Sequence, residues 1–289
     1  MTVRIAILGA NGVYARHLIP RLAASGHQVR ALVRRPEAAV VASACAADIR
    51  VADIFDVDAL RAGLEGCDVC VNLATSLPGP SGRGDFAVND RVRREGVPLL
   101  VDACRGAGVG RLLQQSISWV GASGETLADE VAVFTPSSDD IGGRAIRAAQ
   151  DMEEMVRASG LDWLILRGGL FYGPGTGFDD DWFARAVAGK LLLPEDGSAF
   201  VSLVHVADMA AATVAALEAW PSRKIMIVAD DMPVRWRDLF GYVAALAGVA
   251  APEPGGRARF PSFRMSNGLA RATLNWTPRY PDYRSGLVR

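Results

Sequence analysis

Residues 3–15 read VRIAILGANGVYA, and this stretch decides the fold. A short apolar strand, Val3–Leu8, runs directly into a glycine turn with the spacing GxxGxxA, and a helical pattern follows. Gly9 permits a tight turn, Gly12 lets backbone N–H groups approach a pyrophosphate, and Ala15 allows close packing of helix on strand. Because the turn lies between a clean strand and a helix, it predicts a Rossmann-type βαβ unit that binds a dinucleotide.

Outward from this unit, short apolar runs alternate with helical patterns near 13–25, 36–44, 56–64, 90–107 and 141–159. Apolar runs without polar alternation are typical of parallel strands that are covered on both faces. The fold class is therefore expected to be α/β, a doubly wound parallel sheet with a smaller C-terminal substrate lobe. The predicted strands are Val3–Leu8, Val29–Val33, Ile49–Ala52, Val69–Leu73, Arg111–Gln115 and Trp163–Leu166.

The regular alternation of apolar runs and helical patterns changes after Arg167, and this change divides the chain into two parts. Residues 1–167 are expected to form the nucleotide-binding Rossmann core, and residues 168–289 a substrate lobe interleaved with the last elements of the sheet. Pro98 is expected to interrupt the helix near 90–107, and the run from Arg91 to Arg94 is interpreted as a solvated helix face.

The second strand ends in Val33-Arg34-Arg35. An acidic residue at this place would hold the ribose 2′-hydroxyl of NAD, whereas guanidinium groups pair with a 2′-phosphate. The two arginines therefore predict NADP(H) as the cofactor. Predicted contacts come from the glycine turn and from the ends of the second, third and fourth strands: Gly9, Asn11, Gly12, Val13, Tyr14, Arg34, Arg35, Asp53, Ile54, Leu73, Ala74 and Thr75.

The amino-acid composition limits the kinds of molecule that the protein is expected to bind. Half of the 289 residues are apolar, 22% are charged, and the net charge is −1. This balance suits a packed core and gives no bulk electrostatic reason to bind nucleic acid or an anionic membrane. With the first strand at Val3 and no apolar run near the ~20 residues of a membrane span, we expect a cytoplasmic protein that binds a small-molecule substrate. Cys67 and Cys70 have CxxC spacing, but no second pair completes a metal site, so no metal is expected. The oligomeric state is left open.

Four further segments carry a resemblance. They are GHQVRALVR at 26–34, FYGPG at 171–175, VHVAD at 204–208 and WTPRYP at 276–281. Together with the glycine turn they resemble, over essentially the whole chain, the extended and atypical short-chain dehydrogenase/reductases, which include the NAD-dependent epimerases and dehydratases. The resemblance implies a Rossmann fold and nicotinamide-dependent oxidoreductase chemistry.

The chain departs from that family at the proton donor. The family uses a tyrosine and a lysine four residues later, positions that fall here on Ala145 and Ala149, and no tyrosine or lysine occurs between Tyr14 and Tyr172. The chain is therefore similar to the branch without this pair, the actinobacterial polyketide-tailoring ketoreductases of the simocyclinone type.

Two serines are the candidate catalytic residues. The resemblance places the family's catalytic serine at Ser116, and Ser118 where related sugar dehydratases carry a glutamate. Either hydroxyl would hydrogen-bond a substrate carbonyl, but neither is a general acid, because an unassisted hydroxyl has a pKa far above neutrality. The alternative interpretation is that both serines cap the end of a strand.

These observations lead to three hypotheses. The first is an NADPH-dependent ketoreductase for an aromatic, polyketide-like ketone of antibiotic biosynthesis, with Trp119 and Trp182 as a flat apolar wall. Its proton would come from ordered water or from a phenol on the substrate. The second is a non-catalytic NADP(H)-binding sensor or regulator. The third, an epimerase or dehydratase, requires a base that the sequence does not supply and usually uses tightly bound NAD.

Overall fold

The computed structural model describes residues 2–80, 82 and 84–287. Its centre is a sheet of seven parallel strands. These strands are β1 (Arg4–Leu8), β2 (Gln28–Val33), β3 (Asp48–Val51), β4 (Val69–Asn72), β5 (Arg111–Ile117), β6 (Asp162–Gly168) and, after four short strands, β11 (Lys224–Val228). The other short strands are β7 (Leu170–Tyr172), β8 (Leu193–Pro194), β9 (Phe200–Val201), β10 (Leu203–His205), β12 (Val234–Arg235) and β13 (Pro254–Gly256).

The strand order is β11-β6-β5-β4-β1-β2-β3, so the direction of winding reverses between β1 and β4. In such sheets ligands bind in the crevice outside the carboxyl ends of the strands at the point of reversal. The expected α/β doubly wound fold is confirmed, and the six predicted strands match β1–β6 with shifts of one or two residues at their ends.

Helices cover both faces of the sheet. The α-helices are α1 (Val13–Ala24), α2 (Val40–Ala44), α3 (Val57–Leu64), α4 (Phe86–Arg91), α5 (Val97–Gly106), α6 (Ile141–Arg157), α7 (Phe178–Val187), α8 (Val206–Ala219), α9 (Trp236–Ala247), α10 (Gly268–Leu274) and α11 (Tyr283–Gly286). On β5, Leu113 packs into the core shared with α1 and α8, and Leu112 into the core shared with α3, α5 and α6. Successive residues of β5 therefore face opposite layers.

Residues after Gly168 return to this scaffold. They supply β11 at the edge of the sheet beside β6 and α8 on the face that α1 also covers. α10 packs on the same face through Ala270 and Leu274, whereas α7 and α9 pack around a second apolar cluster that includes Trp182, Trp236 and Phe263. The division into a core at 1–167 and a substrate lobe at 168–289 stays a prediction.

The expectation that Pro98 interrupts a helix is wrong. The chain stays helical from α4 through a π-helical turn, Val92–Gly96, into α5, where Pro98 lies in the first turn. Proline lacks the N–H that an interior α-helical position donates, and a wider π turn just before it changes the hydrogen-bond pattern locally. The helix is widened there rather than broken.

Candidate active site

The glycine turn brings β1 and β4 into close approach. Gly9 has a φ of +81°, and a Cβ added to it would lie 2.8 Å from the backbone nitrogen of Ala74. Glycine is therefore required for both its conformation and its size. The turn closes with the N–H of Gly12 donating to the carbonyl of Gly9 at 2.9 Å.

The turn presents the N-terminus of α1. Gly12 is the N-cap in an extended conformation, and no side chain caps the first turn of the helix. Its free N–H groups and the helix dipole favour an anion at this point, as a pyrophosphate requires. Asn11 fastens the turn to the end of β2, because its Nδ2 donates to the carbonyl of Arg35 at 3.0 Å.

A groove of about 250 Å³ lies over the carboxyl ends of β1–β4. Among the described residues, no carboxylate pairs with the exposed side chains of Arg34 and Arg35. Their contact with a cofactor stays a prediction. The predicted residues that line this groove are Gly9, Asn11, Gly12, Arg34, Arg35, Asp53, Ile54, Leu73, Ala74 and Thr75.

The other two predicted cofactor residues, Val13 and Tyr14, line an adjoining pocket of about 230 Å³. The hydroxyl of Tyr14 bonds to that of Thr213 on α8, and burial raises the pKa of Tyr14 far above its ordinary value. Tyr14 is thus a core side chain and not a proton donor. Gly9 and Gly12 line both cavities, so the groove and the pocket meet at the glycine turn.

The adjoining pocket is walled by apolar and aromatic side chains. On its lining, the segment from the end of β5 contributes Gln115, Ile117 and Trp119. Trp119 therefore lies where the aromatic-wall hypothesis places it, whereas Trp182 packs between Phe178 and Phe240 and is absent from this lining. The aromatic rings of the lining are Tyr14, Phe86, Trp119, Phe171, Phe178 and Phe260.

Ser116 faces α6, and Ser118 begins the buried turn that follows β5. Ser116 is 1% exposed, and its Oγ donates to Oε1 of Glu153 on α6 at 2.6 Å. Ser118 is fully buried, and its Oγ has no partner among the described residues. Neither serine is on the lining of the pocket. Their catalytic role stays untested.

Glu153 is half of a buried ion pair that the sequence analysis missed. Arg167, at the end of β6, donates from Nη2 to Oε2 of Glu153 at 2.7 Å and from Nε to Oε1 at 2.9 Å. Its Nη1 also donates to the carbonyl of Glu130 at 3.0 Å. The available signal was an acidic residue on the buried face of α6, together with an arginine that ends an apolar strand.

The two α6 positions at which the related family carries its catalytic tyrosine and lysine are enclosed by other parts of the protein. Ala145 and Ala149 are both fully buried, and Nη1 of Arg93 donates to the carbonyl of Ala145 at 2.8 Å. Burial lowers the pKa of Arg93 to about 10. The interpretation of 91–94 as a solvated face is wrong for Arg93, which is 4% exposed and satisfied by a carbonyl from another helix. Arg91 and Arg94 do form exposed ion pairs.

His205 lines neither the groove nor the apolar pocket. Its Nδ1 accepts from the N–H of Ala207 and so caps α8, and its ring centroid lies 3.9 Å from that of Tyr280. Burial lowers the pKa of His205 to about 4. At neutral pH the ring is uncharged and its role is to cap and pack.

Within the described chain, no helix is long and apolar enough to cross a membrane.

Comparison with known proteins agrees with this geometry. Residues 9–219 match the model of a family described as NAD(P)H-binding. The chain is 35% identical to a 3-diazoavenalumate denitrifying reductase from a Streptomyces species, over 99% of the chain and 100% of that protein. It is 26% identical to the 4-hydroxy-2-methyl-3-oxo-4-farnesyl-3,4-dihydroquinoline-1-oxide ketoreductase of Stigmatella aurantiaca, over 99% of the chain and 85% of the relative.

Solved structures share the fold. The dTDP-glucose 4,6-dehydratase of Streptomyces venezuelae has a TM-score of 0.83 at 20% identity, over 98% of the chain and 94% of that structure. The UDP-glucose 4-epimerase of Thermus thermophilus has a TM-score of 0.79 at 21% identity, over 98% and 96%. At these identities the likeness concerns architecture alone.

Proposed function

The chain belongs to the NAD(P)H-binding family and is an NAD(P)-dependent oxidoreductase of the short-chain dehydrogenase/reductase type, and from that premise we propose that it reduces a flat aromatic substrate with hydride from NADPH. One observation carries the proposal. Among the described residues that line the apolar pocket, only Tyr14 has a titratable side chain, and that hydroxyl is bonded within the core. The protein then supplies binding and orientation, while hydride transfer is the chemistry of the cofactor.

The choice of NADPH rests on Arg34 and Arg35. Both guanidinium groups are exposed at the rim of the groove, beside the end of β2 where the 2′-position of the ribose is expected. A phosphate accepts charge-assisted, bidentate hydrogen bonds from arginine, and a 2′-hydroxyl does not.

Cofactor selectivity is tested by titrating NADPH and NADH separately into wild type, Arg34→Ala, Arg35→Ala and the double variant. Each single loss is expected to weaken NADPH about 10-fold or more, since a hydrogen bond to a charged group contributes about 1.5–3 kcal/mol. The Kd for NADH should not change. Arg157→Ala, an exposed arginine outside the groove, is the matched control. Equal NADPH affinity in the double variant and wild type would refute the argument.

The substrate class follows from the wall of the pocket. Rings on several sides suit a flat, fused aromatic substrate. We propose an aromatic ketone with an adjacent phenol as the first candidate. Ketone, NADPH and a proton give alcohol and NADP⁺, and the phenol or ordered water supplies the proton that a catalytic tyrosine would otherwise donate.

An aromatic diazo compound is the second candidate. It is favoured by the diazo reduction for which the Streptomyces relative, 35% identical over 99% of the chain and 100% of that protein, is named. It also suits a pocket without an acid: an ortho-quinone diazide, NADPH and a proton give a phenol, N₂ and NADP⁺. Hydride replaces dinitrogen at carbon, and the oxygen becomes a phenolate that water protonates readily.

Three naphthalene probes of similar size decide between these reductions. They are 1-hydroxy-2-acetonaphthone, 2-acetonaphthone without the phenol, and 2-diazo-1-naphthoquinone. Each is incubated with enzyme and NADPH, oxidation of the cofactor is followed by absorbance, and products are identified by mass. Faster reduction of the hydroxylated ketone supports the first candidate, and release of 1-naphthol supports the second. Tight NADPH binding with no turnover of any probe would refute reduction of flat aromatics.

A further inference from the structure

Gln115 is the amide side chain that β5 presents to the apolar pocket. It is half-buried and lines the pocket together with Ile117, two residues further along the same face of the strand. No described residue forms a hydrogen bond with its carboxamide, and the amide atoms are not among the buried, unpartnered ones. By contrast, Gln114 on the opposite face accepts from Nδ2 of Asn72 at 2.9 Å. The carboxamide of Gln115 is free and open to the cavity.

We propose that Nε2 of Gln115 donates a hydrogen bond to a substrate oxygen adjacent to the carbon that receives hydride. This inference rests on the proposed reduction and deepens it, because it assigns the substrate-recognition residue and the chemical feature that this residue selects. The oxygen is that of the ketone in the first candidate and that of the quinone diazide in the second.

The other polar side chains of the lining are not equivalent to Gln115. Thr176 donates its hydroxyl to the carbonyl of Gly173 at 2.8 Å and lies 3.0 Å from Oδ1 of Asp179. Thr75 is exposed and lines the groove as well as the pocket, at the junction of the two cavities. The hydroxyl of Tyr14 is buried against α8. The indole Nε1 of Trp119 also has no partner among the described residues, but that atom is buried and not open to the cavity. Among the described lining residues, Gln115 is therefore the one whose unpartnered side-chain N–H donors are accessible from the pocket.

The backbone of Gln115 is held rigidly. β5 lies between β4 and β6, and the carbonyl of Gln115 also accepts from Nε2 of Gln114 at 2.8 Å. A donor on an interior strand keeps its position better than one on a loop, and orientation of a reacting group depends on such precision. The carboxamide is therefore presented to the pocket from a fixed point.

The chemistry of a carboxamide fits a site without an acid. Its N–H donates a hydrogen bond to negative charge that develops on the substrate oxygen, but it does not release a proton at neutral pH. The proton must then come from water or from the substrate phenol. A ligand without an oxygen leaves the N–H unpaired in an apolar pocket, which costs binding free energy and so selects oxygenated aromatics.

The test replaces Gln115 by leucine, which keeps much of the volume and removes the donor. On the protein–NADP⁺ complex, the Kd of 1-hydroxy-2-acetonaphthone is expected to rise about 10-fold, and kcat/KM for its reduction to fall about 100-fold. The Kd of 2-ethylnaphthalene, which has no oxygen, should not rise. NADPH affinity and melting temperature report that the fold and the groove are intact. Ile117→Val, on the same pocket face, is the control and should affect both ligands equally.

Gln115→Glu adds a readout that a structural role would not produce. Below the pKa of the introduced carboxyl, the neutral acid donates to the substrate oxygen, and above that pKa the carboxylate repels it. The kcat/KM of this variant should therefore fall with rising pH through a titration that is absent from wild type. A parallel profile in variant and wild type would contradict direct contact with the reacting oxygen.

Binding separates failure of this inference from failure of the proposed reduction. If wild type binds the hydroxylated ketone through Gln115 and turns over no probe, the reduction is refuted and the Gln115 contact stands. If Gln115→Leu is folded and binds that ketone as tightly as wild type does, the inference is overturned. It is overturned equally if wild type binds no oxygenated naphthalene.

Discussion

Arg167→Met is expected to destabilise the protein more than loss of any exposed ion pair. The side chains of Arg167 and Glu153 are 7% and 5% exposed. The variant would leave the Glu153 carboxylate buried, with the hydroxyl of Ser116, 2.6 Å away, as its remaining side-chain donor. The unbranched, apolar methionine side chain would still fill most of the volume that the Arg167 side chain occupies.

The magnitude follows from burial. Removal of one partner from a buried ion pair costs about 3–5 kcal/mol, against a total unfolding free energy of about 5–15 kcal/mol for a typical protein. At about 2 °C or more per kcal/mol for a chain of this size, the melting temperature should fall by roughly 6–15 °C. Thermal and urea unfolding at neutral pH measure both quantities.

Two controls make the argument specific. Arg94→Met breaks the pair with Asp151, whose side chains are 42% and 51% exposed, and should cost about 1 kcal/mol or less. The double variant Glu153→Leu, Arg167→Met removes both charges and should recover most of the loss. The reasoning fails if Arg167→Met unfolds within about 1 kcal/mol of wild type, or if the double variant is as unstable as the sum of its single changes.

Three further outcomes are expected. Gly9→Ala should abolish NADPH binding and lower the melting temperature, because φ is +81° and the new Cβ would lie 2.8 Å from backbone atoms; unchanged titration and melting curves would contradict this. Burial lowers the pKa of His205 from 6.5 to about 4, so the unfolded chain binds this proton at a higher pH than the folded chain does. The free energy of unfolding should therefore decrease as the pH is lowered from about 6.5 to about 4. His205→Asn should reduce that slope in urea unfolding, whereas the raised pKa of Asp230 acts in the opposite direction in both proteins and cancels in the comparison. The hydrogen bond with Cys104 and burial both raise the pKa of the Cys70 thiol, so in the native protein Cys70 and Cys104 should resist a thiol reagent that labels them in the urea-unfolded chain, whereas the half-buried Cys45 should react sooner; rapid native labelling of Cys70, located by peptide mass, would show that this core opens.

The sheet was predictable because its information is local. An apolar run of strand length followed by Gly9 and Gly12 indicates β1 and the start of α1 without reference to distant residues. The buried charges were not predictable in this way. Arg167 finds Glu153 across 14 positions of sequence, and Arg93 finds the carbonyl of Ala145 across 52. Charge alone predicts exposure, and only the folded arrangement supplies the partners that make burial tolerable.

The same limit applies to the end of β5, where Gln114, Gln115 and Ser116 are successive polar residues. Alternation along a strand shows that Gln114 and Ser116 share a face, but not which face meets the pocket. That depends on the layer in which α6 lies.

At the end of β5, the face toward α6 carries a buried polar network, and the opposite face lines the cavity. Ser116 is engaged by Glu153, Glu153 by Arg167, and the two alanines on α6 where the family carries tyrosine and lysine are wholly buried. A proton donor on α6 would have to displace this packing to reach the cavity. Recognition of a substrate oxygen must then come from the pocket face of β5, where Gln115 donates a hydrogen bond but no proton. An enzyme built this way suits substrates whose reduced product is protonated by the substrate itself or by water, and that requirement is shared by phenolic ketones and quinone diazides.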